Sequence, residues 1–107
     1  MLRGVIYARY SSDNQREESI EGQIRENKVY AERNDIEIVN TYIDRAYSAK
    51  TTKRPAFQQM VKDSEKGLFD VIIVWKLDRF SRNRRDSVVY KALLEERGVQ
   101  VLSATET

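Results

Sequence analysis

The sequence predicts an α/β domain: a mainly parallel four-stranded sheet flanked by helices. Three observations support that class. Four short apolar runs alternate with three stretches of helical periodicity, in the order βαβαβαβ. The third run, Val71 to Trp75, is continuously apolar, as a strand covered on both faces must be. No repeat, low-complexity tract or linker interrupts the 107 residues, which are enough for one hydrophobic core and too few for two.

Each element has its own local signal. Arg3 to Arg9 holds Val5, Ile6, Tyr7 and Ala8 and reads as a buried strand, followed by a polar stretch from Tyr10 to Arg16. Ser19 precedes Ile20 and Ile24 at the start of a helix that runs to about Arg33, and Asn34-Asp35 turns out of it. Ile36 to Tyr42 alternates in polarity and reads as the second strand; Asp44 to Lys53 reads as a polar loop. Pro55 suits a first helical turn, Phe57, Met60, Val61 and Ser64 follow at helical spacing, and Gly67 is a stop. Asp70 to Trp75 is the third strand and the most central, and Lys76 to Asn83 a loop. A helix from about Arg84 to Arg97 carries Val88, Val89, Ala92, Leu93 and Leu94; Gly98 ends it, and Val99 to Ser103 is the fourth strand. The chain stops just after this strand, which suggests a fragment of a longer protein.

Composition excludes several chemistries. The chain has no Cys and no His, so it offers no disulfide, thiolate nucleophile, Ser-His-Asp triad or His-based metal site of its own. A carboxylate magnesium site stays open. The longest apolar run is far too short to span a bilayer, and the N-terminus lacks the pattern of a signal peptide, so a cytoplasmic protein without membrane contact is expected. Net charge is only +2, which does not announce a nucleic-acid binder. The distribution says more: between Lys76 and Arg85, Lys76, Arg79, Arg82, Arg84 and Arg85 face Asp78 alone. Twelve of the 19 basic residues are Arg, the side chain suited to bidentate phosphate contacts.

In a parallel sheet, ligand sites lie beyond the carboxyl ends of the strands. Three segments satisfy that condition. The first, Tyr7-Ala8-Arg9-Tyr10-Ser11-Ser12-Asp13-Asn14-Gln15, brings two serines and Arg9 to a strand end. A hydroxyl needs activation to be a nucleophile; the alternative is a polar turn in which Ser11 or Ser12 bonds the backbone. The second, Trp75-Lys76-Leu77-Asp78-Arg79-Phe80-Ser81-Arg82, offers a guanidinium cluster that would bind phosphate. If Asp78 begins a helical turn, Arg82 falls on its face; the alternative is a helix start capped by Asp78 or Ser81 with solvated arginines. The third, from Asp44 to Arg54, mixes Arg45, Lys50, Lys53 and Arg54 with hydroxyl residues and serves equally as a phosphate-contacting loop or a plain solvated one. A serine with arginines and no His points to phosphoryl transfer, because a protonated guanidinium is a poor base but neutralises a phosphorane-like transition state.

The ordered set formed by the first segment, Ser19-Ile20-Glu21-Gly22-Gln23, Arg54-Pro55-Ala56-Phe57 and Leu77-Asp78-Arg79-Phe80-Ser81-Arg82 closely resembles the catalytic domain of serine site-specific recombinases, the resolvase/invertase family. The resemblance covers nearly the whole chain. Gln15 to Gln23 and the Arg54-Pro55 pair look more like the large serine integrases and mobile-element recombinases than the small resolvases. It implies a resolvase-like fold, with Ser11 as the nucleophile that forms a 5′-phosphoserine bond to DNA. Arg9, Arg79 and Arg82 match the arginines around the scissile phosphate, and Asp78 the proton-transfer or positioning carboxylate beside them. Gln15, Gln23 and Arg54 match supporting residues; without the resemblance they read as ordinary solvated side chains. It implies no metal and no cofactor, DNA as partner, and a full-length protein that works as a dimer or tetramer through a dimerisation helix and DNA-binding region absent here. Tyr10 and Ser12 depart from the usual Val and Thr, and Ala49 stands where Gly is common. The second serine makes Ser11 against Ser12 a question for experiment. Two other classes remain: a non-catalytic α/β module that binds phosphate or a protein partner, and a magnesium-dependent phosphotransfer domain using Asp13, Asp44 or Asp78.

Overall fold

The computed structural model describes residues 1–10, 19–45, 54–81 and 83–106. Along the chain come β1 (Leu2–Arg9), α1 (Ile20–Arg33), β2 (Ile36–Asp44), α2 (Pro55–Asp63), β3 (Val71–Val74), a short α3 (Leu77–Phe80), α4 (Arg84–Glu96) and β4 (Gln100–Ser103). A 3-10 turn, Ser64–Lys66, prolongs α2. The strands form one all-parallel sheet in the order β2-β1-β3-β4, which is the expected class. The central place is shared by β1 and β3. β1 is buried from Gly4 to Arg9, and β3 is buried throughout.

Alternation along the inner strands divides the core between two faces. Val5 and Tyr7 of β1 join Ile72 and Val74 of β3 against Phe57, Met60, Phe80 and Leu94 from the helices. The Phe57 ring meets Tyr7, Phe80 and Tyr90 edge to face, at 5.4, 5.3 and 5.0 Å between centroids. On the opposite face Val71 and Ile73 pack with Ala31 of α1 and Ile36 of β2.

The expected helix start after Ser19 and the stops at Gly67 and Gly98 hold. The Ser19 hydroxyl accepts from the Gly22 N–H at 3.0 Å and caps α1. Gly67 and Gly98 end their helices with φ of 67° and 76°, a region costly for other residues.

Two boundaries differ from expectation. β2 continues through Asp44, because Ile43 and Asp44 still pair with Ala8 and Arg9. The segment Lys76–Asn83, expected as a loop, contains the helical turn α3. Four residues carry no readable periodicity, and tertiary contacts hold the turn. The Leu77 N–H donates to the Glu106 carboxylate at 2.8 Å, and the Phe80 side chain is fully buried. The helix stops at Phe80 and Ser81 is extended, so the turn does not continue towards Arg82. The next helix, α4, is capped by Asn83, whose side chain accepts from the Asp86 N–H at 3.2 Å. Neither Asp78 nor Ser81 plays that part.

Gly4 sets how closely the strands approach. A Cβ there would lie 2.6 Å from the Ile36 Cγ2 methyl and 2.9 Å from that of Val71. Both neighbours are β-branched and stiff at χ1, so neither withdraws easily. The β1–β2 register shifts between Gly4 and Val5, at the same place. Gly4→Ala is therefore expected to destabilise the fold by about 1–3 kcal/mol. Urea unfolding should show a lower midpoint at an unchanged slope; a midpoint equal to wild type would refute the close approach.

Candidate active site

The site is built at the carboxyl ends of β1, β2 and β3, around the turn α3. The last three residues of that turn, Asp78, Arg79 and Phe80, leave carbonyl groups that no further helical turn satisfies. Arginines from elsewhere supply donors to all three. Arg9, at the end of β1 and 7 % exposed, donates from Nη2 to the Asp78 carbonyl at 3.0 Å and from Nε to the Arg79 carbonyl at 3.4 Å. Arg54, immediately before α2, donates from Nη1 to the Phe80 carbonyl at 2.6 Å. Its guanidinium lies 3.8 Å from the Phe57 ring centroid and 5.9 Å from that of Tyr7.

Arg79 belongs to the turn itself and is 2 % exposed. Its Nη1 pairs with the Asp78 carboxylate at 2.7 Å, while the Asp78 side chain stays half open to solvent. Three of the arginines singled out in the sequence thus meet at one helical turn, with Asp78 at its mouth.

Gln23 reaches the same place from α1 and is fully buried. Pairing of β1 with β3 ends at Tyr7 opposite Val74, and the Gln23 amide takes over beyond it. Its Oε1 accepts from the Arg9 N–H at 3.3 Å, and its Nε2 donates to the Arg9 carbonyl at 3.0 Å. A side-chain amide has a donor and an acceptor in the spacing of a peptide, so it can stand in for a missing strand. The solvated Gln23 of the residue-by-residue reading is corrected. Arg54, held against Phe57, is no plain solvated side chain either.

Asp44 lies at the end of β2 and is 1 % exposed. Its Oδ2 accepts from the Tyr7 hydroxyl at 2.7 Å and from the Phe57 N–H at 3.1 Å; its Oδ1 accepts from the Ala56 N–H at 2.9 Å. The residue before α2 is Arg54, which offers no side-chain cap, so a carboxylate from a neighbouring strand caps the helix instead. These bonds occupy both oxygens of Asp44, which the magnesium reading had offered as a ligand. Among the described residues, no group of three or more Asp or Glu is arranged to hold a metal ion. Burial pushes the Tyr7 phenol well above its ordinary value. The Asp44 charge and hydrogen bond push the same way, and Arg54 opposes them.

Ser11, Ser12, Asp13 and Gln15 lie outside the described residues, as do Arg82, Lys50 and Lys53. The structure thus brings together Arg9, Gln23, Arg54, Asp78 and Arg79. Sequence reasoning missed Tyr7 and the capping role of Asp44. One signal was available for the latter: a carboxylate near a strand end, followed by a helix start with Pro55 but no Ser, Thr, Asp or Asn directly before it.

The family described as "Resolvase, N terminal domain" matches residues 4–107. The chain belongs to this family. Among curated relatives, a DNA-invertase of Enterobacteria phage P7 is 37 % identical over 60 residues, covering 56 % of this chain and 31 % of the relative. The chain therefore spans about a third of the length of that relative. Among solved structures, the N-terminal catalytic domain of TP901-1 integrase superposes with a TM-score of 0.83 at 33 % identity, over 95 % of this chain and 76 % of the other. A resolvase family site-specific recombinase from Streptococcus pneumoniae gives a TM-score of 0.80 at 29 % identity, over 97 % and 72 % of the two chains. The integrase similarity agrees with the resemblance noted in Gln15 to Gln23 and Arg54-Pro55.

Two outcomes test how this resolvase-family site is held. Asp44→Ala removes the acceptor of three buried bonds and is expected to cost about 3 kcal/mol or more. Asp44→Asn keeps one acceptor oxygen and should cost less, and Tyr7→Phe about 1 kcal/mol; equal urea midpoints for all three would refute the assignment. The second outcome concerns alkaline pH. The folded state keeps the Tyr7 proton where the unfolded chain releases it, so stability is complete below pH ~10 and falls as pH rises above that value. Tyr7→Phe should make the fall shallower; an unchanged slope would show that Tyr7 ionises normally.

Proposed function

We propose that this chain is the N-terminal catalytic domain of a longer serine recombinase, which cuts and rejoins DNA in site-specific recombination. One observation carries the reading most: Arg9, Arg54 and Arg79 converge on one turn at the carboxyl edge of the sheet, in a chain of the resolvase family. Three guanidinium groups gathered at one turn suit a dianionic phosphorane-like transition state.

In this mechanism the Ser11 Oγ attacks a backbone phosphorus of DNA. The Oγ–P bond forms, the P–O3′ bond breaks, the serine gives up its proton and the departing 3′-oxygen gains one. The product is a 5′-phosphoserine linkage and a free 3′-hydroxyl. Rejoining reverses the step: a 3′-hydroxyl attacks the phosphoserine and releases Ser11. The linkage keeps the energy of the phosphodiester, so the reaction calls for neither a metal nor a high-energy cofactor. Arg9, Arg79 and Arg82 neutralise the non-bridging oxygens, and Asp78, half exposed beside Arg79, orients it or relays a proton. Gln15, Gln23 and Arg54 support the site. Strand exchange between two DNA sites takes place in a dimer or tetramer of the full-length protein in the cytoplasm. Among the described residues, no helix is long and apolar enough to cross a membrane.

The test uses the full-length protein and a DNA site nicked so that cleavage traps the covalent intermediate, with and without chelator. A protein–DNA adduct is expected in wild type and Ser12→Ala and not in Ser11→Ala. Loss only in Ser12→Ala moves the nucleophile by one residue. No adduct in any sample, with the protein bound to a verified site, overturns the reading in favour of a non-catalytic module; loss on chelation alone restores the magnesium alternative.

A further inference from the structure

Trp75, the single tryptophan of the chain, stands half-buried just after β3 and is hydrogen-bonded through both its carbonyl and its indole. Its carbonyl accepts from the Thr105 hydroxyl at 2.7 Å and the Ser103 hydroxyl at 3.3 Å. Its indole N–H donates to the Glu26 carboxylate of α1 at 2.8 Å. Both the backbone and the ring orientation are therefore fixed from outside β3. The fixed ring faces cations: the Arg79 guanidinium carbon lies 5.1 Å from its centroid and the Lys76 Nζ also 5.1 Å. An indole offers the strongest of the aromatic faces to a cation, and the attraction grows as the cation loses water. Arg79, at 2 % exposure, has lost nearly all of it.

We infer that Trp75 is a positioning residue for Arg79, with Glu26 setting the angle of the indole. The inference rests on the strand-cleavage reading above. It adds a consequence for α1. Gln23 and Glu26 are three residues apart and project from neighbouring positions on the helix. Gln23 fixes the peptide of Arg9, and Glu26 fixes Arg79 through Trp75. One helix thus sets two of the site's arginines relative to each other.

Two measurements test this together. In the 107-residue chain, the Arg79 Nε–Hε resonance should lie upfield of an ordinary arginine, shielded by the ring. It should return downfield in Trp75→Leu, and in Glu26→Leu, an exposed change that frees the indole without touching the core. In the full-length protein the rate of covalent adduct formation should fall about tenfold in both variants. Glu26→Gln keeps an oxygen for the indole N–H and should restore the rate to within about twofold of wild type. An Arg79 resonance that stays put in both Leu variants overturns the inference, as does a displaced resonance with an unchanged rate. A wild-type protein that forms no adduct is a different failure. It removes the strand-cleavage reading and with it the reaction the residue would serve, while the resonance still reports whether the ring holds Arg79.

Discussion

Burying guanidinium groups at the end of a sheet is the constraint on which this structure turns. A buried cation needs acceptors in fixed directions. The cheapest source is a helical turn that stops early and leaves its last carbonyls open. α3 is such a turn. It is four residues long, too short to stand on its own, and it depends on the arginines as much as they depend on it. Arg9 comes from β1 and Arg54 from the start of α2, and both end on its carbonyls. The ends of β1 and β3 and the start of α2 are therefore joined by bonds whose donors are the residues best suited to phosphate.

The arrangement calls for a second anchor, because Arg54 is only as well placed as the helix it precedes. Asp44 supplies it. The carboxylate ties the first amides of α2 to the end of β2 and, through the Tyr7 hydroxyl, to the middle of β1. Phe57 sits where these lines cross: its N–H is bonded to Asp44, its ring packs on Tyr7, Phe80 and Tyr90, and one face carries the Arg54 guanidinium. The hydrophobic core and the polar site share this residue. Loosening the core beneath Phe57 would move Arg54, which is how packing reaches chemistry here.

Much of the fold was legible, for physical reasons that differ between elements. β3 announces itself because both its faces are covered and its run is unbroken; α1 and α2 because a cap or a proline precedes a periodic face. α3 was not legible, since a single turn has no period and is held by Glu106 from beyond β4. The site followed the same division. Arg9, Asp78 and Arg79 stand in short motifs, and their residue types suggested phosphate chemistry. Gln23 was recognised only through the motif around it, since its burial is set by where β1 stops pairing with β3, a register that one strand's sequence does not encode. Asp44 reads as a loop acid until β2 is seen to run two residues further. Trp75 looks like the end of an apolar strand, and only the meeting of α1, β3 and α3 makes it a neighbour of Arg79.

The same geometry bears on how a phosphate would be received. The carbonyls that hold Arg9 and Arg54 are neutral acceptors, and a phosphate oxygen is a charged one that bonds a guanidinium roughly twice as strongly. Those bonds to neutral carbonyls orient both guanidinium groups at the carboxyl edge of the sheet. Arg79 is paired with the Asp78 carboxylate, which competes on equal terms with an incoming anion. On the proposed reaction, Arg9 and Arg54 exchange these carbonyl bonds for bonds to a phosphate, while Arg79 shares its charge with Asp78 or parts from it. The half-exposed Asp78 side chain can be resolvated when that happens, and the indole face stays beside the buried Arg79. The aromatic contact is therefore one that does not depend on the ion pair staying closed.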